Sequence, residues 1–269
     1  MTISIYTEIL PREFQWSPRE DVPSGTVEFY IATAKELSKN NDVIVYYDGE
    51  ATNYGGVYYL PRSMYEPTEI NIHCNDRAEL GKRNIYWTNK IDQKAKDYMD
   101  YDHRITISKY HKSIFGDSTI IGHGIYPEFY ISGKKENICL YSSSPDRAGE
   151  VLNELEPHIT SLGYKLIRTY SKAISEREMI DLYAKSRFWL HPCQGVELFC
   201  ISAVKAQASG CIPIVVPNMA LAETVKTGIK CELKDYKDEL IKALGNPPKI
   251  EKYTPPSWED VTCDIVKLF

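Results

Sequence analysis

Short apolar segments of the chain alternate with longer amphipathic segments from one end to the other. The short segments are rich in β-branched and aromatic residues, which is typical of strands. The longer segments carry apolar residues at the three- and four-residue spacing of a helix face. This alternation predicts successive βα units with parallel sheets, and therefore an α/β fold.

The first half of the chain contains seven predicted strands: Ile3–Tyr6, Val43–Tyr47, Val57–Leu60, Glu69–His73, Asn84–Trp87, Arg104–Ser108 and Thr119–Ile121. Between the first two strands, apolar residues recur at helical spacing after a Pro-Ser-Gly turn, which predicts a helix. The polar connection from Pro11 to Asp21 follows the first strand. We expect it to form an acceptor-binding or lid loop, because open α/β sheets bind ligands at the carboxyl ends of their strands.

The second half repeats this organisation after the polar, glycine-containing stretch from Tyr130 to Glu136. The predicted elements are strand Asn137–Tyr141, a helix from Pro145, strand Tyr164–Thr169, helix Glu176–Ala184, strand Phe188–His191, helix Ile201–Ser209, strand Ile212–Val216 and a final helix after Ser257. Ser144, Ser175 and Ser257 are suited to cap three of these helices. The predicted domains are residues 1–134 and 135–256.

The charge balance excludes some classes of partner. The chain has 32 Lys and Arg residues against 37 Asp and Glu residues, so it carries no basic excess that would attract nucleic acid. No uncharged apolar run approaches the roughly 20 residues that a membrane span needs. We therefore expect no nucleic-acid partner and no transmembrane segment, while the oligomeric state stays open.

The seven cysteines lie mostly in apolar runs and indicate buried thiols. No two of them form a Cys-x-x-Cys pair, and His191 and Cys193 lack a second pair of ligands. The spacing therefore predicts no structural zinc site. Unpaired thiols are typical of a reducing compartment, so we expect a cytoplasmic protein.

The strongest candidate site lies between Phe188 and Glu223. A buried strand leads into a loop that contains Glu197 and then into a helix, so the amides of Phe199, Cys200 and Ile201 lie at the helix start. Exposed amides and the helix dipole favour an anion there. A carboxylate beside that anion favours a sugar phosphate over a bare phosphate, although Glu197 could equally serve only to complement the helix N-terminus.

This segment resembles the donor-binding signature of retaining family 4 glycosyltransferases (glycosyl transferases group 1), which have the GT-B fold. The matching positions are Pro192, Glu197, Phe199, Cys200, Ile201, Lys205, Ala206, Ala208, Gly210, Pro213 and Glu223. The resemblance implies a compact GT-B protein with two Rossmann-like parallel-sheet domains facing across a cleft. It also implies that Glu197 lies against the donor sugar and that the amides of residues 199–201 hold the donor diphosphate.

Lys205 is a departure from the pattern, since the family usually has a glutamate there that binds the ribose hydroxyls. The segment "LYSSSPDRAGEVL" resembles the start of the family's carboxyl-terminal domain, where an Arg and a Lys five residues apart grip the diphosphate. Arg147 matches that Lys, whereas Ser142 stands where the Arg usually is. Ser24 and Gly25 resemble the family's glycine-rich turn near the phosphates.

The acceptor cleft of the family corresponds to the strand end that carries His73, Asn75 and Asp76. His73 is alternatively a structural histidine. The terminal segment "SWEDV" resembles the crossover helix that returns to the first domain, so residues 257–269 are expected to pack there.

The resemblance implies retaining transfer of a sugar from a UDP- or GDP-type donor to a hydroxyl of a glycan, lipid or protein. It implies no further cofactor and no metal, and no Asp-x-Asp triplet stands in a metal-binding context. Two other classes stay open. One is a nucleotide-sugar epimerase of GT-B fold, and the other is a catalytically weak nucleotide-sugar-binding protein.

Overall fold

The computed structural model describes residues 1–10, 16–18, 24–144, 147–169 and 174–269. Most of the predicted loop from Pro11 to Asp21 lies outside the described residues, and so does Pro145. The chain divides into two compact units. The first unit comprises residues 1–124 and 256–269, and the second comprises residues 125–255.

The first unit is built on an eight-stranded sheet with the order β3-β4-β2-β1-β5-β6-β7-β8. Its strands are β1 (Thr2–Thr7), β2 (Asp42–Tyr47), β3 (Thr52–Tyr54), β4 (Val57–Pro61), β5 (Ile70–Cys74), β6 (Arg83–Trp87), β7 (His103–Thr106) and β8 (Thr119–Ile120). All neighbouring strands are parallel except the β3–β4 hairpin. Each of the seven predicted strands overlaps an observed one, and β3 is an additional edge strand.

The second unit is built on a five-stranded parallel sheet with the order β10-β9-β11-β12-β13. Its strands are β9 (Glu136–Tyr141), β10 (Lys165–Arg168), β11 (Ser186–His191), β12 (Ile212–Val215) and β13 (Ile229–Lys230). Successive residues of β11 belong to different apolar clusters, with Phe188 and Leu190 in one and Trp189 in the other. The sheet is therefore buried on both faces, as expected for parallel strands covered by helices. The two sheets together confirm the predicted α/β class.

The α-helices of the described residues are α1 (Gly25–Ser38), α2 (Lys109–Phe115), α3 (Gly149–Ser161), α4 (Glu176–Lys185), α5 (Ile201–Ala208), α6 (Leu221–Thr224), α7 (Tyr236–Gly245) and α8 (Trp258–Val266). Ser175 and Ser257 each form a capping box at the start of α4 and α8, which confirms those two predicted helix starts. None of the helices within the described ranges has the length and apolar character to cross a membrane.

The start of α3 differs from the prediction. The helix begins at Gly149, not at Pro145, and its N-cap is Ala148 without a side-chain capping bond. Ala148 has a φ of −163° and a ψ of 14°, so the backbone is not helical at that residue. Ser144 accepts a backbone hydrogen bond from Arg147 through its carbonyl at 3.1 Å, and this turn precedes the helix.

Residues 125–134, which the sequence analysis assigns to the first domain, lie in the second unit. Ile125 and Phe129 are buried in the same apolar cluster as Leu140 and Trp189. Ser209 also donates a side-chain hydrogen bond of 2.8 Å to the Phe129 carbonyl. This segment therefore packs as part of the second sheet's helix layer.

The terminal helix α8 packs against α1 in the first unit. Trp258 at its start is buried, and its ring lies 6.1 Å from that of Phe29 and 5.9 Å from that of His123. Burial of the large Trp258 indole anchors the last residues of the chain on the first unit, which is otherwise formed by residues 1–124.

Candidate functional site

The candidate site lies at the carboxyl ends of two adjacent strands of the second unit. Strands β9 and β11 are neighbours in the parallel sheet, so the segments that follow them leave the sheet at the same edge. The segment after β9 carries Ser142, Ser143 and Arg147, and the loop after β11 carries Glu197 and leads into α5. The topology thus brings the two sequence motifs of this half of the chain to one place.

Arg147 and Glu197 form an ion pair at this edge. The Glu197 side chain is only 7% exposed, whereas that of Arg147 is 38% exposed. The backbone near the carboxylate is held by a 3.1 Å hydrogen bond from the Ala220 amide to the Glu197 carbonyl. The two residues predicted as central to the chemistry therefore meet, with a buried carboxylate and an accessible guanidinium.

His191 is a member of this site that the sequence analysis did not include. It is the last residue of β11, is fully buried, and its Nε2 lies 3.5 Å from the Glu197 carboxylate. Its ring stacks on Trp189 at 5.1 Å, and its Nδ1 lies 3.4 Å from the Ser143 hydroxyl. Burial, and secondarily the Arg147 cation, lowers the pKa of His191 to about 3, so the imidazole is neutral at neutral pH.

The buried His191 predicts that stability falls in acid. Its pKa is about 3 in the folded protein and 6.5 when unperturbed, so below pH 6.5 the unfolded chain binds a proton that the folded chain does not. The free energy of unfolding should fall by about 1.4 kcal/mol per pH unit from this histidine as pH drops from 6.5 toward 3. Burial also lowers the pKa values of His73 and His111 to about 4, so urea unfolding of the unmodified protein and of His191→Gln at several pH values measures the share of the slope that His191 contributes. Constant stability between pH 6.5 and 5 would contradict the assignment of a neutral His191.

The start of α5 places its first backbone amides ahead of the hydrogen bonds of the helix. Cys200 is the N-cap residue and has a φ of 65°, a left-handed conformation that is uncommon outside glycine. Ala203 and Val204 donate the first helical hydrogen bonds, both to the Cys200 carbonyl. The amides of Phe199, Cys200 and Ile201 therefore precede the first amide that is bonded within the helix.

Lys205 lies on α5 with its Nζ 4.6 Å from the centroid of the Phe129 ring. This cation–π contact places the ammonium against the segment that precedes β9. Lys205 also has a further interaction within the protein. Its expected place beside the donor ribose stays a prediction.

Ser142, which stands where the family usually has an arginine, holds part of the core together. Its hydroxyl accepts a 2.9 Å hydrogen bond from the Trp189 indole and lies 2.7 Å from the Tyr183 hydroxyl. Its carbonyl accepts a 3.4 Å bond from the Ser202 hydroxyl at the start of α5. Ser142 thus links the β9 end to β11, α4 and α5.

We expect Ser142→Ala to lower the free energy of unfolding by about 1–3 kcal/mol, because it leaves the buried Trp189 indole N–H without its acceptor. Urea unfolding measures this loss. Ser161→Ala is the matched control, since the Ser161 hydroxyl only donates to the His158 carbonyl on the exposed side of α3. An equal effect of both substitutions would show that the Ser142 contacts contribute no special stability.

In the first unit, Ser24 and Gly25 lie at the start of α1. Ser24 is the N-cap and accepts a 3.3 Å hydrogen bond from the Val27 amide, and Gly25 is the first helical residue. The next residue, Thr26, accepts a 2.9 Å hydrogen bond from the side chain of Asn89, which follows β6. The helix start is therefore tied to the carboxyl edge of the first sheet.

His73 is fully buried on β5 between two tyrosines. Its Nε2 lies 2.8 Å from the Tyr65 hydroxyl and its Nδ1 lies 2.6 Å from the Tyr101 hydroxyl. Burial, and then the Arg77 cation, lowers the pKa of His73 to about 4. With both ring nitrogens occupied, His73 has the environment of a structural histidine.

Asn75 connects several polar side chains at the carboxyl edge of the first sheet. It has a φ of 62°, and its amide nitrogen donates to Glu8 at 2.7 Å and to Asn89 at 2.6 Å. Glu8 in turn forms a 2.6 Å ion pair with Lys90. Glu8, Asn89 and Lys90 were not predicted as site residues, although each follows the end of a strand.

Asp76, the residue after Asn75, pairs with Arg62 at 2.5 Å. Arg62 also donates to the Tyr6 hydroxyl at 2.6 Å and lies over the Tyr6 ring. The Asp76 side chain is 43% exposed, so it is the accessible member of this group. It is therefore an acidic group at this edge that a ligand could reach.

Known structures share this architecture across nearly the whole chain. Sucrose-phosphate synthase from Thermosynechococcus elongatus matches with a TM-score of 0.71 and 12% identity, over 100% of this chain and 98% of that one. AviGT4, a glycosyltransferase involved in avilamycin A biosynthesis, matches with a TM-score of 0.62 and 15% identity, over 99% of this chain and 92% of that one. Anabaena HepE in complex with UDP and glucose matches with a TM-score of 0.57 and 11% identity, over 99% and 95%.

These neighbours and the two Rossmann-like parallel sheets define the chain as a protein of GT-B fold. At identities of 11–15%, these structural matches establish the fold alone, and the activity has to be argued from the residues of the site. No protein-family model and no curated protein sequence matches the chain.

Proposed function

We propose that the protein is a retaining, metal-independent glycosyltransferase of the family 4 type, which moves a sugar from a nucleoside-diphosphate donor to an acceptor hydroxyl. The observation that supports this most is the Arg147–Glu197 pair at the start of α5 in a GT-B fold. It combines a cation and helix amides for a diphosphate with a buried carboxylate for sugar hydroxyls.

The chemistry requires stabilisation of the leaving diphosphate. As the bond between the sugar C1 and the diphosphate oxygen breaks, the electron pair goes to the leaving group, and Arg147 with the amides of residues 199–201 neutralises it. The acceptor oxygen bonds to C1 on the same face, and its proton passes to the departing diphosphate oxygen. Glu197 accepts hydrogen bonds from the donor hydroxyls and orients the sugar, and His191 supports Glu197 from the buried side.

A UDP-type donor is favoured over a GDP-type donor. The structural neighbour HepE is described in complexes with UDP, with UDP-glucose, and with UDP and glucose together. Lys205 replaces the carboxylate expected at the ribose, so ribose recognition differs from the family pattern. Ser24 and Gly25 are proposed to lie on the donor side. His73, Asn75 and Asp76 are proposed for the acceptor side, with Asp76 making contact and His73 supporting it from the core.

Product analysis tests the reaction. The protein is incubated with UDP-glucose, UDP-N-acetylglucosamine or GDP-mannose and simple hydroxyl acceptors, and nucleotide release and anomeric configuration are followed by NMR. Transfer with retention supports the proposal. An epimerised nucleotide sugar in the absence of acceptor would instead identify an epimerase, and binding without turnover would identify a binding protein.

We expect Arg147→Ala to raise the Kd for the nucleoside diphosphate by about 10- to 100-fold, because a charged hydrogen bond to phosphate contributes about 1.5–3 kcal/mol. Isothermal titration calorimetry with UDP measures it. Arg168→Ala is the control. Arg168 is the last residue of β10 at the same edge of the sheet, but it pairs with Glu156 on the surface at 2.9 Å. Equal Kd values for the two variants would refute the role of Arg147.

A further inference from the structure

His191, Glu197 and Cys200 bring three metal-ligating side chains together at the edge of the second sheet. The imidazole nitrogen, a carboxylate oxygen and the thiol sulfur all lie within 4.8 Å of one another. His191 and Glu197 are buried, and Cys200 is partly exposed at the start of α5. Three different metal-ligating groups thus lie close together, and one of them, Cys200, is partly exposed.

The separation of His191 from Glu197 suits two ligands of a tetrahedral metal ion. With zinc–ligand bonds of about 2.0–2.3 Å, two ligand atoms at tetrahedral angles lie about 3.4–3.6 Å apart. The distance between His191 Nε2 and Glu197 Oε1 is 3.5 Å. That distance is long for a hydrogen bond between these atoms but fits two ligands on either side of one metal ion.

The orientation of His191 supports the same conclusion. Among the described residues, its fully buried Nε2 has no hydrogen-bond partner. Its Nδ1 lies 3.4 Å from the Ser143 hydroxyl, so an N–H at Nδ1 can donate there and leave a lone pair at Nε2. In that tautomer the Nε2 lone pair faces Glu197 Oε1, the oxygen with which the Arg147 guanidinium also pairs, and a metal ion between Nε2 and Oε1 removes the repulsion between them.

We propose that His191, Glu197 and Cys200 bind a borderline-soft divalent cation such as Zn²⁺, with a fourth position open to water. Thiolate and imidazole ligands favour Zn²⁺ and Co²⁺ over Mg²⁺ and Ca²⁺. Binding replaces the Cys200 thiol proton, which is released to solvent. A carboxylate has about four lone-pair positions, so Glu197 accepts both the metal ion and Arg147.

If the protein has the proposed function, Glu197 and the α5 amides hold the donor. A Zn²⁺ ion bound at Glu197 then blocks the donor site and inhibits sugar transfer competitively with the donor. Binding of the ion itself is independent of that function, and the two are measured separately.

The test is direct metal binding to the full chain after treatment with a chelator and its removal. We expect one Zn²⁺ per chain by calorimetry, and a near-ultraviolet thiolate-to-metal charge-transfer band when Co²⁺ is added. Cys200→Ser is expected to abolish the band and to weaken Zn²⁺ binding by at least about tenfold. Glu197→Gln should weaken Zn²⁺ binding while keeping the band. Cys263→Ser removes an exposed thiol outside the cluster and should change neither.

Thermal unfolding of each variant establishes that it is folded before metal is added. Absence of stoichiometric Zn²⁺ binding to the unmodified protein overturns the proposal. It is also overturned if the Cys200→Ser and Glu197→Gln variants both bind Zn²⁺ as tightly as the unmodified protein does. Zn²⁺ binding to a protein that transfers no sugar from any donor refutes the proposed function and supports the metal site.

Discussion

Replacing Glu197 with glutamine is expected to reduce kcat/KM for sugar transfer by about 10²- to 10³-fold, comparable to the loss of one electrostatic contact to a reacting group. Glutamine keeps the volume of the side chain and removes its charge. The buried carboxylate then no longer accepts hydrogen bonds from the donor hydroxyls at both oxygens, and Arg147 loses its anionic partner. Steady-state kinetics with the best donor measure the effect.

The matched control for this substitution is Glu239→Gln. Glu239 lies on α7 in the same unit and pairs with Lys242 on the helix surface, at 3.3 Å. It should leave kcat/KM unchanged. Thermal unfolding of both variants separates a loss of chemistry from a loss of folded protein. A folded Glu197→Gln variant with unaltered kcat/KM would contradict the role given to this carboxylate.

Trp189→Ala is expected to lower the free energy of unfolding of the second unit by about 3–5 kcal/mol, the usual cost of removing a large aromatic side chain from a core. Trp189 is fully buried in the middle of β11. The substitution also removes the ring on which His191 stacks and the indole donor to Ser142. Urea unfolding followed by circular dichroism measures the loss.

Trp189→Phe should cost less than Trp189→Ala, because it keeps an aromatic ring against His191 and loses only the indole hydrogen bond and part of the volume. Leu162→Ala is the exposed control at the C-terminal end of α3, where the side chain is 40% exposed. A cost below 1 kcal/mol for Trp189→Ala would mean that β11 is not the packed centre of the second sheet.

The strands were predictable because parallel strands are buried on both faces and leave continuous apolar runs, such as Val43–Tyr47 and Phe188–Leu190. The edge strand β3 was not, because its residues Thr52–Tyr54 are largely exposed and carry no apolar pattern. The start of α3 was also missed, because a Ser-Pro pair is equally suited to a turn. The backbone is not yet helical at Ala148, and the helix begins only at Gly149.

The candidate site was predictable where one segment carries it. Glu197 and the start of α5 follow from a strand, a loop and a helix in sequence, and Arg147 from a motif after β9. His191 was not included, because a histidine at a strand end has no local signal that distinguishes a buried site residue from a structural one. Ser142 has a role that depends on Trp189, 47 residues away, and such a contact is visible only in the fold.

The central claim is that the second unit binds a nucleoside diphosphate at Arg147 and the start of α5. Thermal-shift measurements with UDP, GDP and their sugar conjugates test it most directly, since a ligand at 100 times its Kd stabilises the folded protein by about 2.7 kcal/mol. We predict that at least one of these nucleotides raises Tm of the unmodified protein and that the same concentration has a smaller effect on Arg147→Ala. The absence of a shift with every nucleotide and nucleotide sugar would contradict the claim.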